Sequence, residues 1–162
     1  MDTEPRIVRI EQKRIVGKRL EMSLANNRTG ELWGSFMPRR KEIVNTLNSN
    51  LISLQVYSEP LTLGRFDQTF EKWAGVEVSD FNTIPEGMGS FMLEEGLYAV
   101  FDYKGSSTDH SIFAYIFGTW LPKSDYNLDN RPHFEILGAK YKNSDPNSEE
   151  EIWIPIKPKN KP

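Results

Sequence analysis

The sequence predicts an α+β fold in which two β-α-β-β units in tandem build one curved antiparallel sheet, with helices on its outer face and a cleft between the halves. Three observations predict it. The pattern apolar, aromatic, Gly, small hydroxyl, aromatic, apolar, Pro, basic is written twice, as LWGSFMPR at 32–39 and as IFGTWLPK at 116–123. Each copy sits in a segment whose apolar residues recur at helical spacing. Each is framed by short segments with the two-residue alternation of strands. Self-similarity at a fixed separation marks a duplicated supersecondary unit, and the separation drifts only from 84 to 80 along the two copies.

In chain order, RIVGKRLEMSL (14–24) reads as a strand entered through a turn. Leu32, Trp33, Phe36 and Met37 form the stripe of a short helix with Asn26 or Asn27 as N-cap and Pro38 as its end. LQVYS (54–58) and WAGVEV (73–78) read as the two closing strands of the first unit. The second unit opens with LEEGLYAVFDYKG (93–105). Its helix carries Ile112, Phe113, Ile116, Phe117, Trp120 and Leu121 on one broad stripe, with Ser106 and Asp109 spaced as a capping box and Pro122 as the stop. FEILG (134–138) and WIPIK (153–157) close it. The runs SDYNLDNRP (124–132) and KNSDPNSEE (142–150) read as surface connections, and the tail KPKNKP as loose. The chain is expected to be one domain over residues 1–162, with repeat 1 at about 6–79 and repeat 2 at about 86–157.

Composition bounds the function. A formal charge of −3 gives no drive toward a phosphate backbone, so direct nucleic-acid binding is not expected. With no Cys there is no disulfide frame, thiol nucleophile or thiolate metal site. The N-terminus is charged from the start and no window approaches 18 apolar residues, so neither membrane nor secretion is expected, and the assignment is cytoplasmic. No phosphate loop, nucleophile elbow or HExxH motif is present, and no cofactor or metal is expected. His110 and His133 stand alone and read as structural or solvent-facing.

The residues that could carry chemistry lie along the strands. Alternation in EEEIWIPIK separates Ile152, Ile154 and Ile156 from Glu151 and Trp153; in HFEIL it separates Phe134 and Ile136 from Glu135. The isoleucine and phenylalanine faces are expected under the helices. The opposite face would then gather Glu135, Trp153, Gln55, Tyr57 and Trp73, with Gln55 matching Glu135 across the repeat. A carboxylate in an aromatic-lined cleft selects a cation by charge and by ring faces together. Tyr98 could add a hydroxyl to that cleft, and Trp33 and Trp120 its walls. Glu149 and Glu150 read as the solvated end of a loop, whereas Glu151 shares the Trp153 face and stays open beside Glu135 as the working acid.

Five segments in order, LWGSFMPRRKEI, GLYAVFDYKG, IFGTWLPKSDY, RPHFEIL and DPNSEEEIWIPIK, resemble the GyrI-like small-molecule-binding domain, also called the AraC-type effector-binding domain. The resemblance runs from about residue 5 to 157. It implies a duplicated SHS2-like fold with a ligand pocket between the halves, binding lipophilic cations through an acid among aromatics, as in multidrug-binding regulators of transcription. It carries the family's glutamate onto Glu135, and a second one onto Glu151. Neither end leaves room for a helix-turn-helix module, so the expectation is a stand-alone binder of hydrophobic or cationic aromatic molecules. Two alternatives remain: a hydrolase of electrophilic cyclopropanoid compounds using Glu135 and an aromatic hydroxyl, and a protein-interaction module whose partner is gyrase or a DNA-binding regulator.

Overall fold

The computed structural model describes residues 4–106 and 109–159. Its elements are β1 (Arg6–Ile10), β2 (Lys13–Met22), α1 (Thr29–Phe36) running into a 3-10 turn (Met37–Glu42), β3 (Leu51–Val56), β4 (Phe70–Val78), β5 (Gly89–Leu93), β6 (Gly96–Lys104), α2 (Ser111–Tyr115), a π-helical turn (Ile116–Trp120), α3 (Leu121–Lys123), β7 (Tyr126–Leu128), β8 (His133–Leu137) and β9 (Glu149–Pro158). The strands pair in the order β1-β6-β9-β8-β3-β4-β2-β5, every ladder antiparallel, and β7 adds to the far end of β9. Among the described residues no helix is long and apolar enough to cross a membrane.

Two short links dictate the shape of this sheet. In strand order β1 and β2 are six places apart, roughly 29 Å at about 4.8 Å per strand in a flat sheet. Yet β1 ends at Ile10 and β2 begins at Lys13, and three peptide steps reach no further than about 11 Å. The link from Leu93 of β5 to Gly96 of β6 imposes the same demand between strands that are also six places apart. The sheet therefore curls until its edges meet. Its concave face is sealed by the curl, and its convex face carries the helices.

The register of β3 on β8 places the pseudo-twofold axis. Leu54 lies opposite Phe134, and the same two residues pair outward with Trp73 and Trp153. Both couples are 80 positions apart, so the axis passes between Leu54 and Phe134. It exchanges the Ser53–Glu135 pair with the Gln55–His133 pair.

Three apolar clusters follow. Ile15, Leu54, Trp73, Tyr98, Val100, Phe134 and Trp153 fill the concave side. Val16, Leu32, Phe36, Ala74, Val76 and Val78 pack under α1, and Ala99, Phe101, Ile112, Ile116, Ile152, Ile154 and Ile156 under α2 and the π turn. Each tryptophan of the concave side turns its indole N–H to the glutamate two residues before it: Trp73 Nε1 donates to Glu71 at 2.8 Å and Trp153 Nε1 to Glu151 at 3.1 Å.

The sequence expectations are corrected at several points. The short strands β1, β5 and β7 were not anticipated. Neither Asn26 nor Asn27 is the N-cap of the first helix: Arg28 holds that position without a side-chain cap, and Asn27 Oδ1 accepts from the Thr29 N–H at 2.9 Å from one residue further out. The second helix begins only at Ser111, where Asp109 Oδ1 accepts from the Ser111 N–H at 3.0 Å, so Ser106 is not its cap. The helical path ends at Lys123, next to the expected stop at Pro122, which stands in the first turn of α3 where its missing N–H breaks no intrahelical bond. KPKNKP contributes its first two residues to β9, and residues 160–162 lie outside the described residues.

The closest backbone approach is at Gly17, which faces Gly75 of β4 on one side and Gly89 of β5 on the other. A Cβ there would meet the Ala74 carbonyl oxygen and stand 2.6 Å from Gly75 Cα. Gly17→Ala is expected to cost about 2 kcal/mol or more, lowering the thermal midpoint by roughly 4–8 °C at this chain length. Gly30→Ala, where nothing lies within 4 Å, should leave it unchanged or slightly raised. Calorimetric melts of the two variants check this.

Candidate functional site

The helices cover the outer strands of each half and leave the two central ones open. α1 packs on β2 and β4, and Ile112 and Ile116 pack on the isoleucines of β9. Between them, alternation turns Ser53 and Gln55 of β3 and His133 and Glu135 of β8 to the convex side, around the pseudo-twofold axis. Ser53 is buried; the other three are half-buried and form the floor of a groove.

Rings surround that floor. Gln55 Nε2 donates to the Tyr57 hydroxyl at 2.7 Å. Tyr57 sets its ring edge-on to His133 with centroids 5.3 Å apart, and leans on Phe70 at 5.3 Å. Phe117 reaches within 6.3 Å of the His133 ring from the other wall, placed there by the π turn. Trp33, a turn beyond Thr29 on α1, stands half-buried edge-on to Phe36. Burial, and then the Arg131 charge, push His133 down to about 4, so its imidazole is neutral at physiological pH. Burial also raises the Tyr57 hydroxyl.

Three ionisable groups share the groove. Lys72 of β4 stands beside Gln55 and donates from Nζ to the Thr29 hydroxyl of α1 at 3.3 Å. Burial pulls its pKa down, against the opposing pull of Glu135 and Glu150. Glu150, on the convex face of β9 with Ile152 and Ile154, is pushed up to about 10, first by burial and then by its hydrogen bond to Glu135 and that residue's charge. Glu150 Oε2 is buried without a hydrogen-bond partner. Chemically this is a pair of carboxyl groups, a neutral imidazole, a phenol and a lysine amine among ring faces. Among the described residues no three His, Asp or Glu side chains are grouped to hold a metal.

The residues singled out from sequence divide between the two faces. Glu135 and Gln55 lie on the groove floor and Trp33 on the α1 wall. Trp120 stacks on Tyr126 at 6.4 Å with its edge on Phe101, inside the outer cluster of the second half. Trp73, Tyr98, Trp153 and Glu151 are on the concave side. Trp73 and Tyr98 are 1% and 0% exposed. The Tyr98 hydroxyl donates to the Pro132 carbonyl at 2.8 Å, under the Arg131 guanidinium 4.8 Å from its ring. Glu151 accepts from Arg6 at 3.3 Å as well as from Trp153.

The expected grouping of Glu135 with Trp153 and Trp73 on one face is therefore corrected. Trp153 is in register with Phe134, and Glu135 with Ile152. The faces were misassigned because the curl buries both sides of these strands, so an apolar set no longer marks the helix side. Tyr98 and Glu135 point away from each other and do not meet. Sequence reasoning passed over Lys72, Glu150, His133 and Phe117. The signal for the first two was present: each charge interrupts an alternating set that is otherwise apolar, Phe70, Ala74, Val76 and Val78 in one strand, Ile152, Ile154 and Ile156 in the other.

Comparison with known proteins places the chain in a family. The model of the GyrI-like small molecule binding domain matches residues 3–157. The chain belongs to the GyrI-like family. The transcriptional regulator BrlR of Pseudomonas aeruginosa is 28% identical over 144 residues, 88% of this chain and 51% of BrlR, so the chain spans about half the length of that relative. Two solved structures share the GyrI-like fold. The EcmrR C-terminal domain superposes with a TM-score of 0.70 at 12% identity, covering 98% of this chain and 99% of that one. SAV2435 bound to tetraphenylphosphonium superposes at 0.68 and 15% identity, covering 95% and 94%.

The raised Glu150 sets a pH dependence. A carboxyl whose folded pKa exceeds its unfolded value favours the fold at low pH, and that contribution is lost as pH rises from about 4.5, its ordinary value, toward 10. Glu150→Gln keeps the shape of the protonated acid without the titration. Its thermal midpoint should match wild type near pH 4.5 and exceed it by a margin that widens with each pH unit up to pH 9. A difference that stays constant from pH 4.5 to 9 would show that Glu150 titrates normally.

Proposed function

We propose that this domain, residues 1–162 acting as one unit in the cytoplasm, captures a hydrophobic small molecule with a cationic or planar aromatic body in the groove between α1 and the π turn. The observation that carries this reading is the acid pair Glu135–Glu150, set on a floor flanked by Tyr57, His133, Phe117 and Trp33, with one buried carboxyl oxygen unpartnered. A ring-faced, partly desolvated carboxylate favours an organic cation over a hydrated inorganic one, because the rings replace the water that an organic cation holds weakly. Binding of tetraphenylphosphonium by SAV2435, which shares the fold, supports the same ligand class here. The likeness to BrlR, a transcriptional regulator, supports an effector-sensing role in transcriptional control.

In this reading Glu135 supplies the counter-charge, Glu150 releases or keeps its proton according to the ligand, and the aromatic walls supply contact area. Glu151, Trp73, Tyr98 and Trp153 hold the concave core and do not touch the ligand.

Isothermal titration with tetraphenylphosphonium is expected to give saturable binding. Glu135→Gln should weaken it by about tenfold or more, the scale of a lost charge-assisted contact, while Glu151→Gln on the opposite face should leave it unchanged. No saturable heat, or equal weakening by both substitutions, would overturn the assignment of the groove.

A further inference from the structure

We propose that Lys72 sets the ligand class: the groove is built for a dipolar molecule, whose cationic centre meets Glu135 and Glu150 and whose carboxylate, or a comparable anionic acceptor, meets Lys72. This rests on the reading that the groove is the ligand site and goes beyond it by naming a second recognition element.

The pseudo-symmetry supplies the first argument. Lys72 corresponds to Ile152, and Glu150 to Phe70, each 80 positions apart like Trp73 and Trp153. At both positions the other copy of the unit uses an apolar residue, so the fold does not need a charge at either. Placing an ammonium in the Phe70–Ala74–Val76 set costs desolvation that apolar packing would avoid.

The second argument is what surrounds the ammonium. From β3 it faces Gln55, from α1 the Thr29 hydroxyl, and from β8 and β9 the charges of Glu135 and Glu150. Among the described residues no carboxylate comes within the 4.0 Å of an ion pair with Lys72. Its one described hydrogen bond is to the Thr29 hydroxyl, a neutral acceptor, at 3.3 Å. The positive charge is thus desolvated and drawn toward the acid pair without being neutralised by it.

The consequence for selection is electrostatic. A cation with no anionic group gains from Glu135 but is repelled by Lys72, and between unit charges a few ångströms apart near a protein surface that repulsion is large enough to discriminate ligands. A dipolar ligand avoids the penalty and gives Lys72 the partner it lacks.

The test uses two dyes that differ by one group: rhodamine B, with a cationic xanthylium ring system and a free carboxylate, and its ethyl ester, which keeps the cation alone. Fluorescence anisotropy titrations at neutral pH should show wild type binding the carboxylate form about tenfold or more tighter than the ester. Lys72→Met should abolish or invert that ratio and tighten tetraphenylphosphonium, whereas Lys72→Arg should preserve the preference, separating the charge from a packing role. Equal affinity for the two dyes in wild type, or a ratio unchanged in Lys72→Met, would overturn the inference while leaving the groove as ligand site. Failure of both dyes and of tetraphenylphosphonium to bind would overturn the groove itself and the inference with it.

Discussion

The architecture depends on the two short links that tie one edge of the sheet to the other. β1 belongs by sequence to the first half but pairs with β6 of the second, and β5, which leads into the second half, pairs with β2 of the first. Each half therefore lends a strand to the other. With edges joined this way the sheet has no freedom to lie flat, and its concave side becomes an interior without any second layer of structure. That explains how a sheet with helices on one face alone buries Trp73, Tyr98, Phe134 and Trp153 on the other. The indole N–H groups stay satisfied there because a glutamate two residues earlier on the same strand face reaches each of them.

Sealing the inside decides where a ligand has room. The concave face is filled with rings and the flanks of the convex face by α1 and the α2–π segment, which leaves the outer side of β3 and β8. The two copies also differ most in that place. Inside, Leu54 matches Phe134 and Trp73 matches Trp153, apolar for apolar. In the groove Ser53 stands against His133, Gln55 against Glu135, Phe70 against Glu150 and Lys72 against Ile152. A duplicated unit folds equally well with apolar residues at the last two pairs, so the loss of symmetry in the groove reflects what the surface does rather than how the chain folds.

The duplication, both helices and the three principal strands of each unit were legible because they rest on periodicity, which a sequence displays directly. The faces were not. Assigning HFEIL needs to be told which side of the sheet is interior, and Phe134, Ile136 and Leu137 are apolar on both sides. The curl that makes both sides interior comes from the pairing of Arg6–Ile10 with β6, a contact across some ninety residues that no local pattern encodes. Glu150 was hidden because it follows NSDPNS, a turn-rich run, although β9 already begins at Glu149. Lys72 was hidden because the expected strand WAGVEV starts one residue later, at Trp73, whereas β4 already begins at Phe70.

The distribution of charge between the copies carries a mechanical implication. Lys72 comes from the first unit and Glu135 and Glu150 from the second, so the opposite poles of the groove stand on opposite sides of the pseudo-twofold axis. A ligand that contacts only one pole touches one half of the protein. A ligand that satisfies both must span the β3–β8 seam, and its binding energy then depends on the distance between the halves. The seam is a five-residue ladder, and among the described residues no helix lies across it. In the reading proposed above, a ligand bridging it would couple occupancy of the groove to the relative position of α1 and the α2–π segment, the kind of differential contact by which a bound molecule shifts a conformational population.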